Sequence, residues 1–154
     1  MADKKDELKL IRMNEVEATE ISWLWYPYIP YRKITVIQGD PGDGKTTVVL
    51  AIAAAVTTGA ALPETGTAAE PMSVIFQTAE DGLGDTVKPP LVQSGADCKR
   101  VIVIDESEKE MTLSEIRIEQ AITQTDTKLF ILDRFKRTWA LMWICTGQTR
   151  SAPC

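Results

Sequence analysis

The chain has 154 residues, 44% apolar and 25% charged, which fits one folded domain and excludes a disordered chain. A net charge of −5 argues against a surface built throughout to wrap nucleic acid, although a local basic stripe remains compatible with phosphate backbones. Cys98, Cys145 and Cys154 lack paired spacing and the chain has no histidine, so neither a disulfide framework nor a Cys/His zinc site is expected.

Residues 1–20 read as a charged N-terminal arm, partly helical, in which Leu8, Ile11 and Val16 are too sparse to fix a face. The arm lacks the apolar stretch of a signal peptide, and no apolar run approaches the roughly 20 residues of a membrane span. The expected compartment is therefore the cytoplasm, with no membrane partner. From Ile21 to Tyr31 the chain is aromatic, with Trp23, Trp25, Tyr26, Tyr28 and Tyr31 interrupted by Pro27 and Pro30; this predicts a packed loop rather than a helix. Lys33 to Gln38 predicts a buried strand through Ile34, Val36 and Ile37. After a glycine-rich turn, Thr46 to Thr58 predicts a helix apolar on nearly every side, stopped by Gly59 and followed by a loop to Pro71. Further strands are predicted at Ser73–Gln77, Val101–Ile104 and Leu129–Leu132. A helix opened by Ser114 and Glu115, with an apolar stripe of Ile116, Ile118, Ala121 and Ile122, precedes the last of them. Pro89 and Pro90 predict a short or broken helix between the second and third strands. Strands alternating with helices imply an α/β class with a parallel sheet and right-handed crossovers.

The turn Gly39-Asp40-Pro41-Gly42-Asp43-Gly44-Lys45-Thr46 fits G-x-x-x-x-G-K-[ST] and lies between a predicted strand and a predicted helix, the context this motif requires. Glycines let the backbone curl round a phosphate with its N–H groups inward, and the helix N-terminus adds partial positive charge at the same point. Four fixed positions match by chance in a chain of this length in about one case in a hundred, which favours a phosphate site over an incidental turn. The expected ligands are ATP and Mg²⁺, with Lys45 on the β- and γ-phosphates, the Thr46 hydroxyl on the metal and Thr47 beside it. Asp40 and Asp43 bring negative charge close to that site and are expected to point outward or cap turns.

Such a site also calls for an acid behind the metal and a carboxylate that polarises water. Asp133, Asp105 with Glu106, and Glu80 with Asp81 each follow a predicted strand, where ligands gather in open α/β sheets. Composition and spacing leave all three open, and a polar residue closing a buried strand is an ordinary alternative for each.

The ordered set Trp23-Leu24-Trp25, Ile29-Pro30, Lys33-Ile34-Thr35, Gly39 to Thr47 and Gln77-Thr78-Ala79-Glu80-Asp81 resembles RecA-like ATPases of the RepA hexameric-helicase type, found on plasmids, phages and mobile elements. The resemblance covers about Ile21 to Asp133. It implies Glu80 as the base that activates water and Asp133 as the Walker B acid, with Asp105 and Glu106 second. It also implies a RecA-like P-loop core, ATP hydrolysis between subunits of a homo-oligomeric ring, and action on DNA in replication or recombination.

Residues 134–154 depart from this pattern. Arg134-Phe135-Lys136-Arg137-Thr138-Trp139 and Trp143-Ile144-Cys145 show neither helical nor strand period, and the family's later strands, polar sensor and arginine finger are missing. A basic-aromatic patch for single strands is one reading. A frame change fits better: permitted codons in the shifted frame can spell a family-like IQAYLGADVDMHRANEVRP, and the single codons of Trp139, Met142 and Trp143 force its Gly, Val and Asp. This predicts three segments, 1–20, 21–133 and 134–154, and a sheet that stops at four strands with its last edge uncovered. It also makes a nucleotide-binding module without turnover the alternative function. A small-molecule P-loop kinase ranks lower, because no Arg-rich lid segment is present.

Overall fold

The structure, a computed structural model, describes residues 9–40, 42–65, 68–78, 82–107 and 116–133, together with the backbone of 141–145. Residues 9–22 are exposed throughout and carry a 3₁₀ turn at Met13–Glu15; the earlier residues of the arm lie outside the described ones. The aromatic stretch contains a small antiparallel pair, β1 (Trp23–Trp25) with β2 (Ile29–Pro30), instead of a plain loop. Its prolines fall in the turn and at the end of an edge strand, where a missing N–H costs no ladder bond. Trp23 meets Tyr26 edge-on at 5.2 Å, and Trp25 meets Tyr28 at 4.9 Å.

The larger sheet follows: β3 (Ile34–Ile37), α1 (Lys45–Thr58), β4 (Val74–Thr78), α2 (Lys88–Gln93), β5 (Val101–Ile102), α3 (Ile116–Thr125), β6 (Leu129–Asp133) and β7 (Leu141–Cys145). The strand order is β3-β7-β6-β4-β5. β5, β4 and β6 are mutually parallel, as the α/β reading requires. The fifth strand is a correction. Leu141–Cys145 runs antiparallel to both β3 and β6 and fills the space between them, so the sheet is mixed and does not end at four strands. The run Leu141–Cys145 shows no strand period in the sequence, and its place in the sheet is set by backbone pairing with β3 on one side and β6 on the other. The rest of the 134–154 segment lies outside the described residues.

Two layers cover the sheet. On one face, Val49, Ile52, Ala53 and Val56 of α1 pack with Val74 and Phe76 of β4 and Leu129 and Ile131 of β6. Alternation along the strands sends Ile75, Phe130 and Leu132 to the other face, under Ile118 of α3. That second layer is narrow. Ile34 and Val36 are 60% and 52% exposed, contrary to the buried strand expected there, because β3 is an edge strand beyond the reach of α3. Ile116 is likewise exposed at the first turn of α3, leaving the stripe to Ile118, Ala121 and Ile122; Ser114 and Glu115 lie outside the described residues.

The prolines at 89 and 90 begin α2 rather than break it. They occupy its first turn, where the N–H groups have no intrahelical partner, and a π-helical turn over Leu83–Val87 leads in. Val87 and Leu91 carry this segment into the core against α1.

Gly59 ends α1 with φ +73°, and a Cβ there would lie 2.3 Å from the Ala69 carbonyl oxygen. Gly59→Ala should lower unfolding free energy by about 2 kcal/mol, from strain and that clash, read as a lower urea midpoint at unchanged slope. Within the five-stranded sheet, β3 pairs with β7 alone, so a chain shortened to end at residue 133 should lose hydrogen-exchange protection in β3 while β4 and β6 keep theirs.

Candidate functional site

The glycine-rich turn joins β3 to α1 at the carboxyl end of the sheet; Pro41 lies outside the described residues. Gly42 and Gly44 take φ of +93° and +78°, the left-handed region that side chains disfavour. Gly44 is also the N-cap of α1, which has neither a side-chain capping bond nor an acidic residue in its first turn. The helix therefore presents its first N–H groups and positive end without an internal counter-charge from that turn.

Inside the turn the Asp43 N–H donates to the Asp40 carbonyl at 3.2 Å, and the Asp43 carboxylate accepts the Asp40 N–H at 2.6 Å. Asp43 thus caps the turn, one of the two placements expected of it. A Cβ on Gly39 would lie 2.9 Å from that carboxylate, which explains a glycine at a position with no positive φ. Lys45 donates its ammonium to the Asp40 carbonyl at 2.5 Å, which holds the charge over the loop. Thr47 is exposed on the first turn of α1.

The Thr46 hydroxyl donates to the Asp133 carboxylate at 3.2 Å. An octahedral Mg²⁺ with bonds of about 2.1 Å sets neighbouring ligand oxygens about 3 Å apart, so the Thr46 and Asp133 oxygens fit the shell of a hard cation. Among the described residues no cluster of three or more His, Cys, Asp or Glu could hold a metal ion.

Glu80 and Asp81 lie outside the described residues. The register of β4 on β6 sets Thr78 opposite Asp133, so the strand that precedes Glu80 ends beside Asp133. Asp105 and Glu106 sit elsewhere. β5 stops at Ile102, two residues short of the predicted end, and the Gln77 carboxamide takes over the pairing: it accepts the Ile104 N–H at 3.0 Å and donates to the Ile104 carbonyl at 3.1 Å. The same amide donates to the Glu106 carboxylate. The Asp105 carboxyl is held below the usual carboxylate range by the Ser107 N–H, 2.9 Å away, and then by the Ser107 hydroxyl. Both acids are engaged in the chain turn after β5, whereas Asp133, among the described residues, contacts the phosphate loop. Gln77, 1% exposed, was not singled out as a functional residue by the sequence reading; its signal is a carboxamide at a fully buried strand position.

Because the Asp43 carboxylate accepts a loop N–H, Asp43→Asn should tighten nucleotide triphosphate binding a few-fold. Titration calorimetry at low and high salt checks this, the gain shrinking as salt screens the charge.

Residues 4–141 match the family described as an AAA domain, a span that begins in the N-terminal arm and reaches the first residue of β7. No curated protein and no solved structure gives a match. No helix among the described residues is long and apolar enough to cross a membrane. A left-handed glycine loop opening an uncapped helix, a lysine over that loop and a threonine bonded to a strand-end aspartate agree with this match over most of the chain, and the chain belongs to the AAA-domain family of P-loop, nucleotide-binding proteins.

Proposed function

We propose that the chain binds ATP with Mg²⁺ through Gly39–Thr46 and supplies the ATPase core of a DNA-acting ring of the RepA hexameric-helicase type. The observation that carries the nucleotide half is the Thr46–Asp133 hydrogen bond, which joins the phosphate loop to the end of β6. Lys45 neutralises β- and γ-phosphate charge, the loop N–H groups orient the phosphates, and Thr46 with Asp133 holds the metal. The metal, when bound, offsets charge on the phosphate oxygens. Glu80 follows β4 past Thr78 and serves as the base that polarises water. Asp105 and Glu106 hold the loop after β5.

The DNA and the ring rest on the resemblance of the ordered motifs from Trp23 to Asp81 to that helicase group. Hydrolysis between subunits requires the assembled ring, so a solitary chain is expected to bind nucleotide more readily than it turns it over.

Calorimetry with Mg²⁺–ATP on the full chain and on Lys45→Ala tests the binding half; saturable binding lost in the variant supports it, and equal binding by both overturns it. Steady-state release of ADP tests the rest. DNA-stimulated release that falls at least a hundredfold in Glu80→Gln, with ATP affinity retained, is the expected result. Binding with no release in the presence of DNA would reduce the chain to a nucleotide-binding module.

A further inference from the structure

A cavity of about 420 Å³ opens at the far end of α1 from the phosphate loop, within the volume range of small-molecule sites. It is lined by the last turn of α1 up to Gly59, by Met72, and by the rings of Trp23, Tyr26 and Tyr31. A helix of 14 residues rises about 20 Å, so this cavity is separate from the nucleotide site.

Three independent features give the cavity one electrostatic sign. Its lining among the described residues includes one charged side chain, the carboxylate of Glu64, and no Lys or Arg. The C-terminal end of α1 carries the negative end of the helix dipole, and its last turn has no basic residue to offset it. Trp23, Tyr26 and Tyr31 add aromatic rings to the lining, the groups whose π-systems attract cations.

Glu64 is also held in a costly backbone state. It has φ +65° in a turn where the Thr65 N–H and hydroxyl both return to the Leu62 carbonyl, at 3.2 and 2.6 Å. Glycine or asparagine suits that position, yet a glutamate fills it. The Trp25 indole N–H donates to the Pro63 carbonyl at 2.8 Å and ties the turn to β1. Strain kept at one carboxylate on a cavity wall, with the turn fastened beside it, is the pattern of a retained ligand contact.

We propose that this cavity binds a small organic cation, an amine or quaternary ammonium group with an apolar body, whose charge lies between Glu64 and the rings of Trp23, Tyr26 and Tyr31. The site does not depend on nucleotide.

The test is calorimetry and tryptophan fluorescence on the full chain, titrated with benzyltrimethylammonium and, separately, with neutral benzyl alcohol. Saturable binding of the ammonium compound at least tenfold tighter than the alcohol is the expected result, weakened about tenfold in Glu64→Gln and unchanged in Lys45→Ala. Glu64→Gly relieves the positive φ, so it should melt no lower than the parent while losing the cation to the same degree or more. That readout separates a ligand contact from a merely structural one. Equal binding of the two probes, ammonium binding that survives both Glu64 substitutions, or no saturable binding by a chain that melts cooperatively overturns the proposal.

Discussion

The hydrogen bond from Thr46 to Asp133 joins two residues 87 positions apart, and the site chemistry depends on that closure being held to within a fraction of an ångström. Each partner is positioned by a different part of the fold. Thr46 stands where it does because left-handed glycines turn the chain from β3 into α1; Asp133 stands at the end of a strand whose four preceding residues are fully buried. Burial of Leu129 to Leu132 on both faces fixes the strand in depth and register, since a one-residue slip would send each side chain to the opposite layer. The hydrophobic core is therefore the ruler against which the polar pair is set.

At the same end of the sheet a second polar contact works differently. Parallel strands β4 and β5 separate after Ile102, and a side-chain amide replaces the backbone pair that would have continued the ladder. Buried away from water, the Gln77 carboxamide satisfies both Ile104 backbone groups, so the strands part without leaving either group unpaired. The contact lies at the carboxyl ends of the parallel strands, the end of the sheet where open α/β folds hold their ligands.

Much of this was legible in the sequence because it rests on local rules. The phosphate loop, α1 and the strands ending near Thr78 and Asp133 announce themselves through glycine spacing and short apolar runs, and their bounds differ from expectation by a residue or so. What was not legible depends on neighbours. Leu141–Cys145 shows no period of its own and becomes a strand by pairing with β3 and β6. Ile34 and Val36 look like core residues and are open because no helix reaches them. Pro89 and Pro90 read as breakers until their place in the first turn of α2 is known. The choice among three acids could not be made from spacing, since each follows a similar strand; among the described residues it is Asp133 that contacts Thr46.

The pairing of β3 with β7 has a consequence in time. About a hundred residues separate Ile37 from Leu141, and at about 5–20 residues per second a ribosome needs roughly five to twenty seconds to synthesise that interval. Throughout it the nascent chain carries a bare strand edge with Ile34 and Val36 on its open face, the kind of surface that holdase chaperones cover and that neighbouring polysome chains can pair with. The segment that shapes the nucleotide loop is made early, and the strand that anchors it to the rest of the sheet arrives among the last described residues.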